Sequence, residues 1–174
     1  MIDTPFSAIL AHAQAEVGQC SELLAQHGLT IAFAESATAG FLSFLFSLAN
    51  RSGDVLKGGV TCYDACVKED VLNVSPSLLE RFTPESEEVS AAIAESLAHM
   101  ISADIHVGIT GLTKPGGSES PEKPVGTMFT AIKAKNWQVS DRSTFSGDEQ
   151  QIIAAAASNL CQIIHRQLME HPTP

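Results

Sequence analysis

Residues 29–40 constrain the fold more than any other stretch, because they lead an apolar strand directly into a helix. Residues 30–34 are a short run of mostly apolar, β-forming side chains, and residues 41–48 are a largely apolar run without glycine or proline. In open α/β sheets, the turn after a strand exposes the amide groups of the next helix and collects anionic ligands. The candidate ligand-binding residues of this turn are Glu35, Ser36 and Thr38. The alternative is that Ser36 or Thr38 only caps the helix.

Composition favours one domain and excludes several kinds of partner. A chain of 174 residues with 44% hydrophobic residues suits a single domain over residues 1–174, with an N-terminal helix within 1–28 and a polar tail at 171–174. The formal charge of −10 argues against nucleic-acid binding, which requires clustered lysine and arginine. No apolar stretch reaches transmembrane length, and sparse cysteines are typical of a reducing compartment. We therefore expect a cytoplasmic protein that binds neither nucleic acid nor membrane.

Hydrophobic periodicity and turn residues predict the order of the other elements. The predicted helices cover residues 5–28, 66–71, 86–102 and 147–169. The predicted strands cover residues 58–63, 105–110, 125–134 and 137–145, the last two as a hairpin. A loop is predicted over residues 49–54 and a connector around residues 74–76. This order indicates a mixed sheet covered by helices, that is, α/β layers.

A serine, a tyrosine and a lysine lie close together in the sequence around the second strand. Ser52 precedes this strand, and Tyr63 and Lys68 follow it. A serine and a lysine can perform acyl transfer if the amine is desolvated enough to accept the serine proton. The alternative is that the three residues are ordinary surface side chains.

A glycine- and proline-rich loop follows the strand at residues 105–110. It lacks the spacing of a Walker loop, yet its glycines would let backbone amides approach a phosphate or a carboxylate closely. Long loops of this kind inside a compact domain are more often functional than ordinary connections. The candidate residues of this loop are Thr110, Gly111, Lys114, Gly116 and Gly117. Cys62 and Cys66 have no further ligands at zinc-like spacing, so we expect no metal site.

Five motifs occur in a fixed order along the chain. The first is Ala-Glu-Ser-Ala-Thr-Ala-Gly at 34–40, and the second is Gly-Gly-Val-Thr-x-Tyr at 58–63 with Lys68 five residues further. The third is Ser-Glu-Glu-Val at 86–89. The fourth has three parts, Thr-Gly at 110–111, Pro-Gly-Gly at 115–117 and Glu-Lys-Pro-Val-Gly-Thr at 122–127, and the fifth is Phe-Ser-Gly-Asp at 145–148. This series resembles the C-terminal domain family of the competence/damage-inducible protein CinA, without the valine that precedes the family's Ser-Glu pair. The resemblance covers the chain from about residue 29 to the final helix.

The resemblance implies a three-layer α/β/α fold with a mixed, mostly parallel sheet of about five strands, commonly in homodimers. Free-standing members of the family are nicotinamide-nucleotide amidohydrolases. They convert nicotinamide mononucleotide into nicotinate mononucleotide and ammonia, a step of pyridine nucleotide recycling. That reaction requires neither a metal nor ATP, so the resemblance implies no cofactor. The partners it implies are a small-molecule nucleotide and a second copy of the chain.

The resemblance also implies roles for individual residues. Tyr63 and Lys68 match the tyrosine and lysine that assist the nucleophile, and Thr110 matches the threonine that ends a strand at the family's site. These three residues are therefore candidate catalytic residues.

Two residues implied by the resemblance are replaced in this chain. The family's nucleophilic serine aligns with Gly53, and Ser52 stands just before it. The arginine after the family's Gly-Asp pair is replaced by Glu149. Because a charge-assisted hydrogen bond contributes about 1.5–3 kcal/mol, this replacement is expected to weaken phosphate binding. Lys114 offers a substitute cation.

Two hypotheses follow from these matches and departures. In the first, the protein is an active amidohydrolase in which Ser52 attacks the amide, Lys68 is the base and Tyr63 orients or relays. The amides of residues 110–117 would then hold the oxyanion or the phosphate. In the second, the protein is a catalytically inactive paralogue that keeps the fold and a nucleotide-binding or regulatory role. Misplacing a catalytic group by about one ångström costs on the order of a hundredfold in rate, so the Gly53 replacement separates the two hypotheses.

Overall fold

The computed structural model describes residues 6–171, and these contain five strands and seven helices. The strands are β1 (Ile31–Glu35), β2 (Leu56–Thr61), β3 (Ile105–Gly111), β4 (Thr127–Ala134) and β5 (Gln138–Thr144). The helices are α1 (Phe6–Gln26), α2 (Phe41–Ser47), α3 (Ser52–Val55), α4 (Ala65–Asp70), α5 (Pro76–Phe82), α6 (Glu87–Met100) and α7 (Glu149–Glu170). Except for His171, the predicted polar tail lies outside the described residues, as do residues 1–5. None of the described helices has the length and apolar character needed to cross a bilayer.

The strands form one mixed sheet in the order β2-β1-β3-β4-β5. β1 pairs in parallel with β2 and with β3, whereas β3 with β4 and β4 with β5 are antiparallel pairs. All strands except β4 therefore run in the same direction. Their carboxyl ends meet along one side of the sheet, termed the carboxyl edge below, and the opposite side is the amino edge. The predicted mixed, mostly parallel sheet and its closing hairpin are confirmed.

Two hydrophobic cores lie on the two faces of the sheet and complete three α/β/α layers. The side chains of β1 alternate between these cores, because successive residues of a strand point to opposite faces. Ile31 and Phe33 join the core formed with α1, α2 and α7, where the Phe33 and Phe46 ring centroids are 5.0 Å apart. Ala32 and Ala34 join the core formed with α6. The predicted covering of the sheet by helices is thereby confirmed.

Gly108 allows α6 to approach the middle of β3. A Cβ atom at this position would lie 2.1 Å from the Ser90 carbonyl oxygen and 2.8 Å from Ile93 Cγ1. We expect Gly108→Ala to lower the free energy of unfolding by about 1–3 kcal/mol, because overpacking forces the helix away from the strand. Urea denaturation followed by circular dichroism measures this loss. Gly18→Ala, where a Cβ atom meets nothing within 4 Å, is the control; equal stability of both variants would contradict the close packing.

One prediction of local structure was wrong, and one helix was missed. Residues 49–54, predicted as a loop, contain the one-turn helix α3. The connector predicted around residues 74–76 is present, but α5, which follows it, was not predicted. The start of α5 has a recognisable signal, because the Ser75 hydroxyl accepts a hydrogen bond from the Leu78 amide at 3.2 Å and Pro76 opens the first turn. α3 is a single turn, which is too short for apolar periodicity to reveal it.

Candidate active site

Most of the predicted site residues lie at the carboxyl edge of the sheet. Glu35 ends β1, Gly111 ends β3 directly after Thr110, and Tyr63 lies in the turn that joins β2 to α4. The segment from β5 to α7 reaches the same edge, because β5 runs parallel to β3. Open α/β sheets bind their ligands at this edge. It is therefore the candidate active site.

Glu35 is buried at the carboxyl edge and caps α2 with its side chain. Only 1% of Glu35 is exposed. Its carboxylate accepts hydrogen bonds from the Thr38 hydroxyl at 2.7 Å, from the Gly40 and Leu42 amides at 3.0 Å each, and from the Ser43 amide and hydroxyl at 2.9 and 2.7 Å. The chain's own carboxylate thus occupies the amide groups that could have received an anionic ligand.

The residue at the N-cap position of α2 is Gly40, with a φ angle of 95° that favours glycine. Capping by Ser36 or Thr38, the alternative considered from the sequence, was therefore wrong. Thr38 instead donates its hydroxyl proton to Glu35. Ser36 is buried, and its amide donates to the Ile109 carbonyl oxygen at 3.0 Å, which ties this turn to β3. Both residues lie at the candidate site, and neither is a hydrogen-bond partner of Lys68.

Lys68 lies on α4 and points its amine into the protein beneath the turn after β2. The residue is 1% exposed, and its Nζ donates to the carbonyl oxygens of Cys62 at 2.8 Å and Tyr63 at 3.2 Å. Tyr63 itself is 56% exposed. Burial lowers the pKa of Lys68, and the surrounding thiols and the carboxylates of Glu85 and Asp64 oppose this shift. The structure therefore brings the partly desolvated amine of Lys68 to the backbone of the exposed Tyr63.

Thr110 is fully buried between β3 and α6. Its Oγ1 lies 2.9 Å from the Ser90 hydroxyl and donates to the Ser86 carbonyl oxygen at 3.3 Å. Ser86 is the N-cap residue of α6, so Thr110 connects the end of β3 to the start of that helix. Thr110 is therefore positioned to hold the end of β3 against α6 and is not exposed to solvent.

The glycine loop binds one of its own carboxylates. The Gly116 amide donates to Glu119 Oε1 at 2.8 Å, and the amides of Gly116, Glu119 and Gly117 lower the pKa of this carboxylate. Amides predicted to hold a phosphate or carboxylate therefore hold Glu119. Gly111 packs against β4, since a Cβ atom there would lie 2.3 Å from Met128 Sδ. Lys114 is exposed at the tip of the loop.

Sequence reasoning missed a polar cluster beside this loop, formed by Thr83, Glu85, Ser118 and Lys123. Lys123 Nζ donates to Thr83 Oγ1 at 2.7 Å, to the Glu85 carbonyl oxygen at 2.8 Å and to Ser118 Oγ at 2.6 Å. Ser118 Oγ donates to Glu85 Oε2 at 2.5 Å. Burial lowers the pKa of Lys123, while the Glu85 charge raises it. Lys123 belongs to a quoted motif, but no sequence pattern links it to Thr83, Glu85 or Ser118.

Ser52 lies at the amino edge, away from the other predicted catalytic residues. It begins α3, whose neighbouring Arg51 contacts Glu22 near the end of α1 at 3.8 Å. From Leu56 to Thr61, β2 spans about 16 Å at the usual rise per strand residue. Tyr63 and Lys68 follow at the far end of this strand. Within one chain, the structure therefore does not bring Ser52 to Lys68 as the first hypothesis required.

Glu149 is exposed in the first turn of α7, at the carboxyl edge. The preceding Asp148 forms a capping box with Gln151. A cleft of about 370 Å³ separates this end of α7 from the turn after β1. Its lining comprises Thr38, Ala39, Gly40, Phe41, Phe44, Gln150 and Ile153.

The structure offers no metal centre among residues 6–171, where no three His, Cys, Asp or Glu side chains are grouped to hold an ion. Cys62, one of two cysteines considered from the sequence, is fully buried. Burial raises the pKa of its thiol to about 11, which keeps it protonated and unreactive.

Comparison with known proteins places these features in a family. The model of the CinA C-terminal domain matches residues 13–168. The chain belongs to the CinA C-terminal domain family. A CinA-like protein of Syntrophotalea carbinolica is 34% identical over 152 residues, which cover 87% of this chain and 36% of the relative. A CinA-like protein of Myxococcus xanthus is 30% identical over 173 residues, which cover 99% of this chain and 40% of the relative. This CinA-family chain thus spans less than half the length of these relatives.

Solved structures of the CinA superfamily have the same fold. The superfamily protein from Enterobacter cloacae superposes with a TM-score of 0.79 at 30% identity, covering 86% of this chain and 91% of that chain. The competence damage-inducible protein A (ComA) from Klebsiella pneumoniae superposes with a TM-score of 0.84 at 22% identity, covering 90% and 97%. The fold implied by the motifs is therefore confirmed.

Proposed function

We propose that this CinA-family protein hydrolyses the carboxamide of nicotinamide mononucleotide, giving nicotinate mononucleotide and ammonia in the cytoplasmic recycling of pyridine nucleotides. The observation that carries the proposal is the buried amine of Lys68, which donates to the backbone carbonyl oxygen of the exposed Tyr63 at the carboxyl edge. The proposal includes a homodimer, which light scattering on the purified protein tests as a particle of twice the chain mass.

The chemical argument starts from the lone pair of Lys68. A neutral lysine amine keeps two N–H bonds, which suffice for the Cys62 and Tyr63 carbonyl oxygens, and its lone pair can then accept a proton. Burial lowers the pKa of Lys68, so a larger fraction of this amine is neutral near pH 7 than in an exposed lysine. Lys68 then removes a proton from the water that attacks the carbonyl carbon, either of the carboxamide or of an ester formed from it.

Tyr63 and Lys114 supply the contacts to the rest of the substrate in this proposal. The exposed Tyr63 ring offers an aromatic surface on which the pyridine ring stacks. Lys114, exposed on the glycine loop, supplies the cation for the phosphate in the absence of the family's arginine.

Ammonia release from nicotinamide mononucleotide by the purified full-length chain tests the proposal. We expect ammonia and nicotinate mononucleotide in equal amounts, measured by a coupled assay and by chromatography. Nicotinamide mononucleotide that has already been deamidated is the control and should release none. Failure of the protein to release ammonia at any pH between 6 and 10 would contradict the hydrolase proposal.

A second candidate function is nucleotide binding without turnover. The separation of Ser52 from Lys68 along β2, together with Gly53 at the aligned nucleophile position, favours it. This candidate predicts that calorimetry detects binding of nicotinamide mononucleotide to a protein that releases no ammonia. Absence of both binding and turnover would contradict both candidates.

Glu149→Arg tests whether the start of α7 faces the substrate phosphate. A guanidinium in place of the carboxylate removes repulsion and adds a charge-assisted contact worth about 1.5–3 kcal/mol, so we expect binding at least about tenfold tighter. Titration calorimetry with nicotinamide mononucleotide measures the affinity. Glu149→Gln removes only the repulsion, so its affinity should lie between those of the wild type and Glu149→Arg. Unchanged affinity in both variants would mean that residue 149 does not face the phosphate.

A further inference from the structure

We propose that Ser118 is the nucleophile of this chain, with Glu85 as the acceptor of its proton and Lys123 as the cation that stabilises its oxygen. The proposal rests on the amidohydrolase function proposed above and names the hydroxyl group which that reaction requires. It follows from the hydrogen-bond directions in the cluster of Thr83, Glu85, Ser118 and Lys123.

The hydrogen bonds of Lys123 indicate that it is protonated and acts as a cation. Its Nζ has three acceptors, which are Thr83 Oγ1 at 2.7 Å, the Glu85 carbonyl oxygen at 2.8 Å and Ser118 Oγ at 2.6 Å. A protonated lysine has three N–H donors and no acceptor, so all three donors are used here. The Ser118 oxygen therefore receives a hydrogen bond from a positive charge, which favours its deprotonated form.

The single proton of Ser118 has a carboxylate to receive it. Ser118 Oγ lies 2.5 Å from Glu85 Oε2 and 3.2 Å from Thr83 Oγ1. Thr83 Oγ1 in turn donates to the Glu85 carbonyl oxygen at 3.4 Å, so its own proton is directed away from Ser118. A hydroxyl flanked by a cation and by a carboxylate acceptor within hydrogen-bond reach matches the arrangement of an activated nucleophile.

The backbone at Thr83 is held in an unfavourable conformation within this cluster. Its φ angle is 67°, in the left-handed region that β-branched residues rarely adopt. The Ser86 hydroxyl donates to the Thr83 carbonyl oxygen at 3.1 Å and Lys123 donates to the Thr83 side chain, and together they hold this geometry. Backbone strain of this kind concentrates at functional sites.

The cluster adjoins the residues already assigned to the site. Ser86, one residue after Glu85, accepts the hydrogen bond from the buried Thr110. The Glu85 carboxylate directly precedes this N-cap residue and lies 2.5 Å from Ser118 Oγ, so the cluster is tied to the start of α6. Unlike Ser52, Ser118 therefore lies at the carboxyl edge with Lys68 and Thr110 of the same chain. The Ser118 residue is half-buried there.

The reaction proceeds through an ester on Ser118. Ser118 Oγ forms a bond to the carboxamide carbon while its proton moves to Glu85 Oε2, and the carbonyl oxygen takes the negative charge. The C–N bond then breaks as the amide nitrogen takes that proton and leaves as ammonia. Water gives a proton to Lys68 as it adds to the ester, and a proton passes from Lys68 through Glu85 to Ser118 Oγ as the C–O bond breaks. The sum is amide plus water giving carboxylic acid plus ammonia.

The experiment compares single variants of the full-length chain in two assays. In ammonia release from nicotinamide mononucleotide, Ser118→Ala should lower the rate at least about 100-fold and Glu85→Gln by a similar factor. Ser120→Ala is the matched control, because Ser120 lies in the same loop and also donates to a glutamate, Glu122, at 3.0 Å. It should keep the wild-type rate. Equal melting temperatures of the three variants exclude a loss through unfolding.

The second assay does not depend on the substrate. A fluorophosphonate probe reacts with an activated serine, whose oxygen bonds to phosphorus as fluoride leaves, and mass spectrometry of digested wild-type protein locates the added mass. We expect the label on Ser118, and we expect Glu85→Gln to slow its attachment at least about tenfold. A merely structural Ser118–Glu85 contact would not produce this label.

The outcomes separate this inference from the proposed function. Label on Ser118 without ammonia release would support the nucleophile and contradict nicotinamide mononucleotide as the substrate. Ammonia release that persists in folded Ser118→Ala would overturn the nucleophile and leave the proposed function standing. Neither label nor ammonia release in the wild type would overturn both.

Discussion

Lys68→Met is expected to lower the rate of ammonia release from nicotinamide mononucleotide by about 10²–10⁴-fold, the usual contribution of a positioned general base. Methionine has a similar length and remains buried, but its thioether sulfur is not basic. It can neither accept a proton nor donate to the Cys62 and Tyr63 carbonyl oxygens. Steady-state rates measured with saturating substrate report this loss. Lys57→Met is the control, because Lys57 lies exposed on the same strand that leads to the site.

The pH dependence of the wild type gives an independent test of Lys68. Activity should rise with pH as the amine loses its proton, with a midpoint below 10.5, the usual lysine value, because burial lowers the pKa of Lys68. Between the pKa of Lys68 in the folded protein and its pKa in the unfolded chain, the unfolded chain binds more protons than the folded protein. The free energy of unfolding therefore also rises with pH in this range. Lys68→Met should abolish both trends. A wild-type activity that falls as pH rises over this range would contradict the assignment.

Glu35→Ala is expected to lower the free energy of unfolding by at least about 3 kcal/mol, because it leaves several buried donors without an acceptor. The lost bonds include those from the Thr38 hydroxyl, the Leu42 amide and the Ser43 hydroxyl. The loss of the cap alone costs about 1 kcal/mol, and each orphaned donor adds to it. Urea denaturation at constant pH measures the change.

Two further variants show whether burial of the Glu35 carboxylate causes this effect. Glu35→Gln keeps the shape and one acceptor oxygen, so it should lose less stability than Glu35→Ala. Glu87→Ala removes an exposed carboxylate from the first turn of α6 and should change stability by less than about 1 kcal/mol. If Glu35→Ala and Glu87→Ala were equally stable, the carboxylate would not hold the turn between β1 and α2 in place.

The sheet could be predicted well from the sequence, because its central strands are buried on both faces. All five residues of β1 are buried, so their apolar character is visible without knowledge of their neighbours. The hairpin of β4 and β5 follows from two strand patterns separated by two polar residues. α3 was missed because a single turn has no measurable period, and α5 was missed because the proline that opens it was interpreted as part of a connector.

The candidate site was predicted only in part, because side-chain partners depend on distance in space. Glu35 was correctly located in the first strand-to-helix turn, but its burial and its role as a cap depend on how α2 folds back onto β1 and β2. Glu119 likewise binds amides that the sequence marked as open to a ligand. An acidic side chain two or three residues from a glycine turn gives no sign in the sequence that it folds back.

The sequence alone determined the family, the layered fold and the polar character of the carboxyl edge, because these depend on local apolar periodicity and on the order of short motifs. The tertiary structure decided which polar groups meet. It placed Ser52 and Lys68 at opposite ends of β2 and brought Glu85 to Ser118, 33 residues further along the chain. The physical reason is that hydrogen bonds act over about 3 Å. Only the packed helices and loops bring such distant residues within that range.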